Sequence, residues 1–207
     1  MSVWKFLSVL LAGMTFDYFA DETFHVPRSL GGKTFYVFAV VGIRQKDLAT
    51  ITAEMQNRFL GKRGHSIEIL SRRNGIKKFQ DFVSHFGPQL NLHVFQISPI
   101  DEQDSTGEVS RRKLMIEIAT QFCGRDSNSF VIFEKRSGGH LQLDKGTLSD
   151  LHLSGHEKLR MKSPEDARLL WLADALAYAY RRYLVKGDRY LLECFRNSVA
   201  IHKFVRC

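Results

Sequence analysis

The sequence predicts a single α/β domain, and three observations carry that prediction. Thr34-Phe35-Tyr36-Val37-Phe38-Ala39-Val40-Val41-Gly42-Ile43 is a run of aromatic and β-branched residues too apolar for a half-exposed strand. It reads as a central strand buried on both faces. Around it, short strand-like runs alternate with segments of helical period, as in helices layered on a sheet. Near the C-terminus, Leu169 to Tyr180 is apolar nearly all round and reads as a buried helix. No repeat, linker or low-complexity stretch divides the 207 residues, a length that supports one well-buried core.

The elements follow in order. Thr15 to Ala20 alternates bulky and polar side chains and predicts a first strand ending at the acidic pair Asp21-Glu22. Leu30-Gly31-Gly32-Lys33 is turn chemistry before the central strand. Asp47 to Leu60 has helical spacing in Leu48, Ile51, Met55 and Phe59, with Gly61 as a stop. Ser66 to Leu70 is short and strand-like. Asn74 opens a helix carrying Ile76, Phe79, Phe82, Val83 and Phe86, which stops at Gly87-Pro88. Leu90 to Ser98 is a third strand, and Ser105 or Thr106 opens a helix through Leu114, Ile118 and Phe122. Phe130 to Glu134 is a compact apolar strand ending on an acid. Arg136 to Lys162 reads as loop with one or two short strands. Ser163-Pro164-Glu165-Asp166 predicts a helix start, with a serine cap, a proline in the first turn and acids that complement the dipole. A last helix is expected after Gly187, through Leu191, Phe195 and Val199.

The balance of 30 Lys and Arg against 22 Asp and Glu leaves a formal charge of +8. That excess suits a polyanionic partner, since basic side chains facing phosphates gain affinity by counterion release. Cys123, Cys194 and Cys207 stand far apart, with no paired spacing for a disulfide framework or a zinc knuckle. They read as free thiols of a reducing compartment, so a cytoplasmic location is expected. Lys5 with the apolar run Phe6 to Ala12 has the look of a short signal core, but no small-x-small cleavage site follows. The run is too short to cross a bilayer, so no membrane association is expected. The expected boundaries are an N-terminal extension over 1–13 and one domain over 14–207.

The most informative residue is Asp174. On the apolar helix its i±3 and i±4 neighbours are Leu170, Trp171, Ala177 and Tyr178, none of which can neutralise a carboxylate. The first cation on its face is Arg181, roughly 10 Å along the axis. A buried carboxylate normally has a partner or a metal. Asp174 therefore either binds a backbone amide or a distant arginine, or serves a site. Asp21, Glu68 and Glu134 fall at or beside strand ends, and acids so placed can converge with Asp174 around a hard cation. Magnesium and manganese want oxygen ligands. Scattered acids with no common role fit the same spacing.

Four segments sharpen the choice. ADET at Ala20–Thr23 precedes the strand TFYVFAVVGI. KSPEDARLLWLADALAYAYRRYL spans Lys162–Leu184 and contains Leu170, Ala173, Asp174, Arg181 and Arg182. Between them stand His65-Ser66-Ile67-Glu68 and Val131-Ile132-Phe133-Glu134. In order and spacing these resemble the motifs of the domain of unknown function 3800 family, over most of the chain from Phe16 to Leu184. The match has departures: Thr23 stands for the usual Ser, Phe24 for Gly, Leu70 for Lys, and Glu134 for Asp.

The resemblance implies a ribonuclease-H-like fold, a mixed five-stranded sheet flanked by helices with carboxylates at its centre. It also implies metal-dependent nuclease chemistry. Asp21, Glu68, Glu134 and Asp174 would be the catalytic acids, and with Glu22 they would hold two Mg2+ or Mn2+ ions. Asp21 would bridge the pair. Arg72, Arg73, Lys77, Arg181 and Arg182 would hold the backbone of DNA or RNA. The rival expectations are a non-catalytic nucleic-acid-binding module and a protein-interaction domain on the same fold. His152 and His156, four apart but separated by Ser154-Gly155, and the glycine-flanked His140 read as loop histidines.

Overall fold

The structure is a computed structural model that describes residues 15–26, 33–59, 70, 73–123, 128–150, 158–195 and 199–204. Its centre is a mixed sheet of six strands: β1 Phe16–His25, β2 Phe35–Arg44, β3 Leu90–Ile97, β4 Val131–Glu134, β5 Leu159–Lys162 and β6 Ala200–Phe204. The order across the sheet is β5-β4-β1-β2-β3-β6. β1, β2 and β3 form an antiparallel meander, while β4 runs parallel to β1, β5 parallel to β4, and β6 parallel to β3. Nine of the ten residues of β2 are buried, as its unbroken apolar run requires in the middle of a covered sheet.

Helices cover both faces. One layer holds α1 (Leu48–Phe59), α2 (Arg73–Phe86), α5 (Leu170–Lys186) and the single turn α6 (Tyr190–Glu193); the other holds α3 (Glu108–Phe122) and α4 (Gly139–Ser149). Strand alternation sorts the core between them. Phe19, Val37, Ala39, Val41 and Ile132 face α5, whereas Tyr18, Ala20, Tyr36, Phe38 and Phe133 face α3. α5 is buried along most of its length, from Leu170 to Tyr180. It ends where Gly187 takes φ 68°, a left-handed turn that costs glycine no steric penalty.

Several expectations change. The sheet has six strands, not five, because Ala200–Phe204, just beyond the expected last helix, pairs with β3. Leu191 and Phe195 have helical spacing, but the helix they begin stops at Glu193. β1 continues to His25, so Asp21-Glu22 lies inside the strand and not at its end. The stretch read as loop after Arg136 contains α4, held by ion pairs to Asp144 that no local signal announces. Ser163 does not start a helix: its hydroxyl donates to Asp166 at 3.0 Å in a turn, and α5 begins at Leu170. α3 is opened by Asp104, not by Ser105 or Thr106. The Asp104 carboxylate accepts from the amides of Val109 and Ser110 at 3.0 and 2.8 Å. Residues 1–14 and the Ser66–Ile69 part of the expected strand lie outside the described residues.

Candidate functional site

Parallel pairing of β1 with β4 runs through Ala20↔Phe133. One residue further on each strand stand Asp21, inside β1, and Glu134, at the end of β4. Both follow the alternation onto the α5 face, and Asp174 sits on α5 where that helix crosses β1, β2 and β4. Asp21 is 8% exposed; Glu134 and Asp174 are half-buried. The Glu22 amide donates to Asp21 Oδ1 at 2.8 Å. Burial pushes the Asp21 carboxyl well above the usual carboxylate range, and the negative charges of Glu22, Glu134 and Asp174 push it further. Three acids far apart in sequence are thus near enough to act on one another.

This cluster is a concentration of charge that has not closed on a single point. Among the described residues, no group of three or more His, Cys, Asp or Glu is drawn together tightly enough to hold a metal ion. The donor chemistry nonetheless fits Mg2+ or Mn2+, being all carboxylate oxygen. Glu68, the fourth expected acid, lies outside the described residues.

Glu22, expected beside Asp21 as a metal ligand, is placed apart from it. As the next residue in a strand it points to the opposite face, where it pairs with Arg111 of α3. Arg111 is 1% exposed and also donates to both Asp144 oxygens, at 2.8 and 3.0 Å, and to the Tyr36 hydroxyl at 3.2 Å. Arg136 joins Asp144 (2.7 Å) to Glu108 (2.5 Å). Burial lowers the affinity of the Arg111 guanidinium for its proton, but the Glu22 charge and the bond to Asp144 outweigh that, so it stays firmly cationic. Sequence reasoning missed this network. A signal was present: Leu114, Met115 and Ile118 follow Arg111 at i+3, i+4 and i+7, which puts an arginine on the buried stripe of its helix.

The expected basic residues separate. Arg181 is exposed and its guanidinium donates to the Thr23 hydroxyl at 3.4 Å. Thr23 shares the α5 face with Asp21, so Arg181 reaches the same part of the sheet. Arg182 is turned to its own helix end, paired with Asp188 and donating to the Tyr178 hydroxyl. Lys77 is exposed on α2, in the same layer. Arg72 lies outside the described residues, as does the side chain of Arg73, whose backbone begins α2. His140 is exposed on α4, with Nδ1 3.2 Å from Glu108; His152 and His156 are not among the described residues. Cys123 and Cys194 are buried, and neither forms a disulfide among the described residues. No helix among the described residues is long and apolar enough to cross a membrane.

No family model matches the chain, and no curated protein matches it. The resemblance to the domain of unknown function 3800 family therefore stands on its motif residues. Among solved structures, the chain is similar to that of Bst-RNase HIII in complex with Mn2+, with 12% identity and a TM-score of 0.43. The superposition covers 90% of this chain and 57% of that one, so this chain spans little more than half the length of that protein.

Proposed function

We propose that the protein is a divalent-metal-dependent phosphodiesterase that hydrolyses a nucleic-acid backbone on a ribonuclease-H-like sheet. The observation that carries the reading is the buried Asp21 carboxyl lying within the fields of Glu134 and Asp174 on one face of the sheet. A fold that gathers like charges around a buried acid destabilises itself unless a proton or a cation offsets them. Asp21, Glu134 and Asp174, with Glu68 by its motif, are the residues that would hold Mg2+ or Mn2+. Bound there, a pair of such ions stabilises charge on the attacking and leaving oxygens of a phosphodiester. Asp21 sits on a packed strand and Asp174 on a packed helix. Arg181 is placed to bind a substrate phosphate near them, and Lys77 adds attraction from the same layer. Buried thiols outside any disulfide would suit a reducing, cytoplasmic setting.

Thermal unfolding and cleavage test this together. Manganese should raise the melting temperature of the wild type, because only the folded chain assembles the ligands. Asp174→Asn should abolish that rise. With manganese and short DNA or RNA, Asp21→Asn and Asp174→Asn should each lose more than about 100-fold in cleavage, the upper end of what second-shell changes at metal sites cost. Both variants should keep nucleic-acid binding. The second reading is a nucleic-acid-binding module without turnover, which the exposed Arg181 and Lys77 on the same layer would serve equally. It takes over if the wild type binds DNA or RNA but cuts neither, and a protein-interaction role follows if it does neither.

A further inference from the structure

A second cleft opens on the α5 face, on the far side of that helix from Asp21 and Glu134. It holds about 320 Å³ between the C-terminal half of α5 and the β3–β6 edge, a size in the range of small-molecule sites. Exposed Lys33 and Lys203 stand at its mouth, Tyr183 and Leu184 line one side, and buried Gln96 and Tyr180 form its floor. No acid lines it. Gln96 and Lys203 are direct cross-strand partners of β3 and β6, so amide and ammonium stand side by side on this face. A third cation, Arg189, lies 5.4 Å from the centre of the Tyr183 ring.

The floor is oriented. The Tyr180 hydroxyl donates to Gln96 Oε1 at 2.8 Å, and burial pushes that hydroxyl up to about 12, so it remains a donor. With its oxygen taken, the Gln96 carboxamide has its NH2 group left to offer a ligand acceptor. An aromatic ring, an apolar wall, one fixed donor and a cationic mouth match a flat heterocycle that carries phosphate. A bare anion would have no use for the ring and wall, and a duplex would keep its bases stacked inside.

We propose that this cleft binds one nucleotide of a single-stranded nucleic acid, with its base against Tyr183 and Leu184, its acceptor edge on Gln96 Nε2, and its phosphates on Lys33 and Lys203. The assignment rests on the nucleic-acid part of the reading above and not on its metal part. It makes the protein a reader of unpaired strand, because a base must be free to enter.

Fluorescence anisotropy with labelled decathymidylate, in EDTA, tests the cleft without any contribution from the acid cluster. Tyr183→Ala should weaken binding about tenfold and Tyr183→Phe less than about twofold, since base–aromatic stacking needs the ring and not the hydroxyl. Lys33→Gln and Lys203→Gln should each flatten the salt dependence by about one counterion. A blunt duplex of the same length should be insensitive to Tyr183→Ala. The proposal falls if Tyr183→Ala binds like the wild type, or if the duplex loses as much as the single strand. It also falls if thymidine monophosphate competes as strongly as the decamer, which would make the cleft a free-nucleotide site. Should Tyr183→Ala fail to fold, photocrosslinking of a 4-thiothymidine oligonucleotide to the wild type decides. Crosslinks to Tyr183 or to β6 support the cleft, and crosslinks found only elsewhere overturn it. Cleavage that fails while this binding survives would sink the metal reading alone.

Discussion

On the α3 face of the sheet, the acid Glu22 meets a fully buried arginine; on the α5 face, its chain neighbour Asp21 meets more acid. Glu22, Arg111, Asp144, Arg136 and Glu108 form a network in which opposite charges alternate. Asp21 instead feels Glu22, Glu134 and Asp174, all of one sign. Both faces bury charge, at similar depth and one residue apart. The first arrangement spends the cost of burial on joining α3 and α4 to the sheet. The second gathers charge of one sign around a buried acid, the kind of perturbed group that clusters at functional sites, and on it the proposed function rests.

The sharpest way to break this comparison is to remove the cation from the matched face. Arg111→Met should destabilise the protein by about 3–5 kcal/mol, because Glu22 loses its counter-charge and buried Asp144 keeps only Arg136. Urea unfolding measures it, and a loss under 1 kcal/mol would mean that the network holds little. Asp21→Asn should move the other way. It removes a charge that burial and three neighbouring carboxylates oppose, so in metal-free buffer the melting temperature should rise. A fall would show that the Asp21 charge is paired in solution.

Acid separates the faces by sign. The folded Asp21 carboxyl is raised above its ordinary 3.8, so its stabilisation is complete below that value and is lost as pH rises through the raised one. Asp144 and Glu108 are depressed below 3.8 and 4.5. Burial works against the Asp144 shift and arginine bonds drive both, so their stabilisation is present above those values and lost as pH falls below them. His93 adds a loss between about 6.5 and about 4, because burial and then His202 hold its imidazole down to about 4. The difference between wild type and Asp21→Asn isolates the Asp21 part. The gap in melting temperature should narrow as pH drops from 7 toward 4, and manganese should remove it at pH 7. A gap that is flat with pH refutes the assignment. The smallest effect belongs to Arg112, the chain neighbour of Arg111. Its pair with Asp150 is solvent-exposed on both sides, so Arg112→Ala should shift stability by no more than about 0.5 kcal/mol. A larger loss would mean that position on α3 matters less than charge itself.

Amino-acid order by itself determined the α/β layering, the buried central strand read over Thr34–Ile43, and Asp174 as an acid that no side chain one turn away on its own helix can neutralise. Those follow from period and from spacing along one helix, which are properties of a short segment. It also placed Asp21 and Glu134 near strand ends but could not put them side by side, because their proximity depends on β4 aligning parallel to β1 across more than a hundred residues. The same limit hid the fate of Glu22, α4 and β6. Glu22 opposes Asp21 because β1 runs on through both residues to His25, and which charge Glu22 meets depends on the helix that covers its face. α4 is held through Arg111 and Arg136, neither of which it contains, and β6 exists because β3 has a free edge. Periodicity reports which side of an element is buried; only the tertiary structure decides which charge waits on that side.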